Sequence, residues 1–175
     1  MSQFAFLDQG FSAVFTHASK AEELARSDPR GACFYSRLAL ETAIKWMYEA
    51  DPALRSPYDT ALSAMIHEPT FRKLVGDGLV TKAKLIKDLG NRAVHDSHRE
   101  IAEKTSVTAL SELFHFCYWL VRVYGKGEKP GPGLQFDPDA LDRTVNVKAS
   151  TAQRLQKLQE EQDKREKEVE AEKKA

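Results

Sequence analysis

Apolar residues recur at helical spacing along most of the chain. Between residues 4 and 24 they fall at Phe4, Leu7, Phe11, Val14, Phe15, Ala18, Ala21 and Leu24, with Asp8, Lys20, Glu22 and Glu23 off that stripe; this period predicts an amphipathic helix. "SDPR" ends it and opens the next. Asp28 is placed to cap the amides that follow, and Pro29 suits a first helical position, where no internal hydrogen bond is lost. The second helix is expected over 29–49. Its apolar residues Phe34, Tyr35, Leu38, Ala39, Ala43, Trp46 and Met47 occupy more than one side, which assigns it a central place in a bundle. After the turn-rich "DPALRSPYD" come two short predicted helices, near 60–66 and 70–75, the second closed by the breaker "GDG" at 76–78. The period resumes over 79–94, through Leu79, Ala83, Ile86, Leu89, Ala93 and Val94. It returns over 103–124, where Leu110, Leu113, Phe114, Cys117, Val121 and Tyr124 share a face. No stretch alternates as a strand does. The expected fold class is all-α, an antiparallel bundle of four main helices plus short ones.

Past Tyr124 the pattern stops. "GKGEKPGPGLQFDPD" combines glycines and prolines that cannot continue a helix, so the expected organisation is a helical bundle over 1–124, a Gly/Pro-rich linker over 125–149 and a charged helical spacer over 150–175. In the spacer only Leu155, Leu158 and Val169 are sizeable apolar residues, too few for a coiled-coil seam. Glu160 with Lys164, Glu161 with Arg165 and Asp163 with Lys167 have the acid-before-base order that supports a solvated helix by roughly 0.2–0.5 kcal/mol per pair. A charged helix running to "EKKA" reads as a spacer cut short, and the chain is expected to be the N-terminal piece of a longer protein.

Charge narrows the partners. The chain carries 26 basic and 26 acidic residues, so no global field draws it to nucleic acid or an anionic membrane. Arg72, Lys73, Lys82, Lys84 and Lys87 are interrupted by Glu68, Asp77 and Asp88 and read as solvated surface. Trp46, Tyr118, Trp119 and Tyr124 lie on apolar helical faces and read as core rather than as base-stacking platforms. Cys33 and Cys117 stand alone within apolar helical patterns, as buried thiols of a reducing compartment do, which points to the cytoplasm. "MSQFAFLDQG" has no basic n-region and no continuous apolar run, and no stretch reaches membrane-spanning length, so neither a signal peptide nor a span is expected.

Candidate chemistry concentrates in "DLGNRAVHDSH", residues 88–98. On a helix Asn91 and His95 are i,i+4 neighbours, and Gly90 leaves bare backbone beside them. Metal binding through His95, Asp96 and His98 lacks any further ligand pattern, so no metal site is expected. Hydrolase chemistry lacks a nucleophile motif. The bland reading makes Asn91 and His95 capping and hydrogen-bonding residues at a helix end. Arg37 and Glu41 are expected to form an intrahelical pair, with Arg37 alternatively reaching the 91–96 turn.

"R-x-x-L-E-x-x-x-K", as Arg37, Leu40, Glu41 and Lys45, followed by Asn91-x-x-x-His95, resembles the HEPN superfamily of helical bundles. In its ribonucleolytic members an Arg-Asn-x-x-x-His signature implies metal-independent RNA cleavage across a dimer, with a histidine as acid or base and an arginine on the phosphate. Here Gly90 occupies the arginine position; Arg92 with His95 or His98 supplies the alternative constellation. A closer resemblance joins "SRLALETAIKWMY", "LGNRAVHD" and "FHFCYWLVRVYG" to the helical N-terminal domain of type I restriction enzyme R subunits and related DEAD-type helicases, whose motif also reads Gly-Asn-x-x-x-His. It covers about 4–124, and "FDPDALDRTVNVKAS" resembles the bridge to their nuclease and motor domains. The resemblance implies a non-catalytic accessory domain of an ATP-dependent DNA translocase and endonuclease active in phage defence. Methyltransferase and specificity subunits would be its partners, DNA would be engaged by the full-length protein, and a homodimer through the bundle is possible. ATP and Mg would serve that longer protein; the sequence has no Walker loop or DEAD motif, and no cofactor is expected in this chain.

Overall fold

The computed structural model describes residues 1–174, of which 142–154 are described as backbone alone. Among the described residues there are α-helices and short 3-10 turns and no strand. The α-helices are α1 (Ser12–Leu24), α2 (Pro29–Ala50), α3 (Leu62–His67), α4 (Pro69–His95), α5 (Glu103–Tyr124) and α6 (Asp142–Lys174). The all-α bundle is as the periodicity predicts. No described helix is long and apolar enough to cross a membrane.

Helix α2 holds the centre, as its two-sided apolar pattern requires. Ala32, Cys33, Ser36, Ala39, Leu40, Ala43, Ile44 and Met47 are all buried, and α2 packs on α1, α4 and α5. It starts as expected: the Asp28 carboxylate accepts the Gly31 N–H at 3.0 Å, with Pro29 next to it. Paired contacts fix the directions. Phe11 meets Trp46 and His17 meets Tyr35, so α1 and α2 are antiparallel. Arg37 lies on Gly90 while Arg30 reaches Ala93, so α2 and α4 are antiparallel too. Lys82 bonds Glu112 between α4 and α5, while Leu89, Ala93, Ile101 and Ala109 join Cys33 in a small second core beneath the end of α4.

Three boundaries differ from the sequence reading. The first helix begins at Ser12 rather than at residue 4, because Gly10 turns the chain at φ 97°, a conformation nearly free of cost only for glycine. Ala5–Leu7 form a 3-10 turn instead, and Phe4, Leu7 and Phe11 still reach the core. The "GDG" breaker shrinks to one residue. Gly76, at φ 82° and ψ 162°, kinks α4, and helical geometry resumes at once. The start of α4 lies at Pro69 because the Glu68 carboxylate accepts the Thr70 and Phe71 amides. The third difference concerns the Gly/Pro-rich stretch. Its end is a 3-10 turn, Pro138–Leu141, that runs directly into α6 at Asp142, well before residue 150.

That stretch also does not hang free of the bundle. Tyr118 Oη donates to the Gly131 carbonyl at 2.9 Å, and Arg122 donates to the Pro130 carbonyl at 2.9 Å. Phe136 packs on Phe114 with centroids 5.8 Å apart, and Leu141 is buried in the main core. The segment is a strap across α5, and the apolar packing continues to residue 141 rather than stopping at 124. Tyr118, expected in the core, is partly buried: its ring stacks on Phe114 while its hydroxyl takes part in this grip. Trp46, Trp119 and Tyr124 do pack against the core, through ring contacts of 5.4 and 6.0 Å around Tyr124.

Candidate functional site

The "LGNRAVHD" motif forms the last turns of α4. Gly90 is buried there, and a Cβ added to it would lie 2.4 Å from Arg37 Cβ and 2.7 Å from Arg37 Cδ. The bare backbone of Gly90 is therefore filled by the aliphatic stem of Arg37 from α2. Arg37 places its guanidinium 3.5 Å from the Glu41 carboxylate, the expected intrahelical pair, and Lys45 closes on the same carboxylate at 2.9 Å. Its Nε is buried without a hydrogen-bond partner. Arg37 makes no hydrogen bond to the 91–96 turn among the described residues; it meets the motif through its methylenes.

The end of α4 is held by a residue the sequence reading passed over. Arg30 donates to the Ala93 carbonyl at 2.6 Å and to the Asp96 carbonyl at 3.1 Å, and a further bond reaches the Arg99 carbonyl. The Ala93 carbonyl is one of the acceptors that a helix leaves without an internal partner at its C-terminus, and the other two lie at the C-cap and in the turn beyond it; a cation is favoured there by the helix dipole. The signal was available. A cation in the first turn of α2 opposes the dipole of its own helix, so Arg30 serves its antiparallel neighbour. Asn91 and His95, expected to supply this capping, make no side-chain hydrogen bond among the described residues.

Arg92, His95 and His98 are exposed, Asn91 and Asp96 are partly buried, and Asp96 lies 4.0 Å from Arg99. No hydrogen bond or ion pair joins Arg92, His95 and His98 to one another among the described residues. A general base acts through a proton path that a third group orients, and that part of the arrangement is not assembled. Nor do three His, Cys, Asp or Glu side chains converge as a metal site requires, among the described residues. Beneath the motif, burial pushes the Cys33 thiol up to about 11 against the opposing pull of Arg92 and Arg30. It is a neutral thiol near pH 7 and a poor nucleophile. Burial alone pushes Cys117 up as well.

The basic residues of α4 do not combine into a patch. Arg72 faces Asp77 at 3.8 Å, Lys87 faces Asp88 at 3.2 Å, and Lys82 is bonded to Glu112. What the site does chemically is pack and cap: a glycine admits an arginine stem, and a second arginine closes the helix end. Compared with protein-family models, curated proteins and solved structures, the chain matches none.

Proposed function

We propose that the chain is a non-catalytic helical docking module, the N-terminal accessory domain of the R subunit of a type I restriction enzyme. In this reading it joins the ATP- and Mg-dependent DNA motor and nuclease of that subunit to the methyltransferase and specificity subunits. One observation carries the non-catalytic part. Position 90, where the resembling ribonucleases have their phosphate-binding arginine, is a glycine packed under Arg37. An arginine side chain there would have to displace that stem, so the motif serves helix packing. Without the arginine, no group at that position stabilises a developing phosphorane charge. The partner assignment rests on the resemblance of "SRLALETAIKWMY", "LGNRAVHD" and "FHFCYWLVRVYG" to those R subunits.

Two assays test it together. The purified protein is mixed with the methyltransferase–specificity complex of its own host and run on a sizing column; a stable co-eluting complex is expected. In parallel, labelled single-stranded RNA is incubated with the wild type and with His95→Ala in the presence of a chelator. Cleavage by the wild type that disappears in the variant would replace this reading with a metal-independent ribonuclease built on Arg92, His95 and His98.

A further inference from the structure

The strap is held at two unequal ends. Its first half is held on α5 by Tyr118 and Arg122, which donate to the Gly131 and Pro130 carbonyls, and by Lys129, whose ammonium donates to the Arg122 carbonyl at 2.8 Å. The second half meets the other end of the chain. Gln3 Nε2 donates to the Asp137 carbonyl at 2.8 Å, and the Asp137 amide donates back to Gln3 Oε1 at 2.7 Å. Arg26 donates to the Pro138 carbonyl at 3.0 Å. Gln3 is in turn fixed by α1: the Glu22 carboxylate accepts the Gln3 amide at 3.0 Å and the Ser2 hydroxyl. Glu22, in the last turn of α1, and Arg26, in the turn just past its end, thus hold the N-terminal segment and the root of α6 from one stretch of chain.

We infer that residues 2–3 are the catch of a latch: Glu22 seats them, Gln3 seats Asp137, and the polar edge of the strap at 137–138 loosens or tightens with the N-terminal segment while the bundle stays folded and Leu141 stays buried. These polar contacts are partly exposed and few, so each is worth little beside the apolar anchors Phe4, Phe136 and Leu141. Coupling of this kind is reciprocal: a partner that engages residues 1–3 changes how firmly α6 is rooted, and one that pulls on α6 changes the N-terminal segment.

Amide hydrogen exchange reads the latch directly. In Glu22→Ala, whose side chain does not touch the strap, exchange at Asp137 and Ala140 is expected to rise about tenfold, the scale of one net hydrogen bond. Exchange at Ala39 and Leu40 in the centre of α2 is expected to stay as in the wild type. Glu22→Gln, which keeps an acceptor, is expected to restore much of the protection. Strap amides unchanged while Phe4 exchanges faster would overturn the coupling. So would α2 amides accelerating in step, because release would then be global unfolding. Tyr118→Phe removes only the grip on Gly131; if it frees Asp137 as much as Glu22→Ala does, the catch lies in the strap's first half and the inference fails.

Discussion

The bare backbone of Gly90 and the stem of Arg37 form a contact in which neither residue is replaceable alone. In Gly90→Ala the new methyl would meet Arg37 at its Cβ and not only at the mobile far end, so α2 and α4 must shift apart. Overpacking of this kind costs about 1–3 kcal/mol. Chemical denaturation of Gly90→Ala, Arg37→Ala and the double variant checks it: the double variant is expected to recover part of the loss, as contacting residues do. Arg30 gives a second test, since its planar guanidinium serves several carbonyls at the end of α4. Arg30→Lys keeps the charge but loses the fork, and a loss of roughly 1–2 kcal/mol is expected in the same denaturation experiment. A third concerns Tyr124, whose hydroxyl donates to Asp51 at 2.6 Å. That bond and the Ala53 amide hold the Asp51 carboxyl below its usual range, while burial, with Asp51 adding to it, pushes the Tyr124 phenol up. A lowered carboxyl stabilises the fold above its unfolded pKa of about 3.9, and this is lost as pH falls. A raised phenol stabilises it below about 10, and this is lost as pH rises. The stability difference between wild type and Tyr124→Phe is thus expected to be flat from about pH 5 to 9 and to shrink on both sides.

At the scale of elements, the apolar period identified α2 and α5 almost to the residue, because their buried faces run the whole length of each helix. It misplaced the start of α1, since Phe4, Leu7 and Phe11 are spaced for a helix and are buried as in one, although Gly10 turns the backbone between them. Periodicity reports which residues face the core and not the path between them. The same limit applied to "GDG", where a three-residue breaker was read and only Gly76 leaves helical geometry. Gly76 sits at positive φ with open space around its missing Cβ, so Gly76→Ala would cost backbone strain without a clash, about 1–3 kcal/mol. A matched Gly78→Ala, at a helical and uncrowded glycine, is expected to be neutral or stabilising. Thermal melts of the two variants separate the cases. For the site, Gly90 and the Arg37–Glu41 pair were legible from spacing. Arg30 was legible only as a cation in the first turn of its own helix, because which helix end it serves depends on what lies beside it in space.

At the scale of the whole molecule, the strap changes what counts as the bundle. Pro- and Gly-rich composition correctly excluded a helix over 125–137, but it says nothing about docking, which here depends on Tyr118, Arg122 and Phe114 of α5 presenting donors and a ring to an extended backbone. Phe136 and Leu141 were the apolar residues that betrayed it. Beyond the strap, α6 is exposed along 155–174, with acids and bases interleaved; such a surface suits a spacer more than a seam. The two-way bond between Gln3 and Asp137 makes residues 3–137 an almost closed ring of chain. A ring can be opened elsewhere. If a short peptide led from just past Leu141, which must be kept because it is buried in the core, back to the N-terminal segment, and new ends were cut in the exposed loop at Tyr58, the rearranged order of helices should still find the same packing, because no buried residue would be lost.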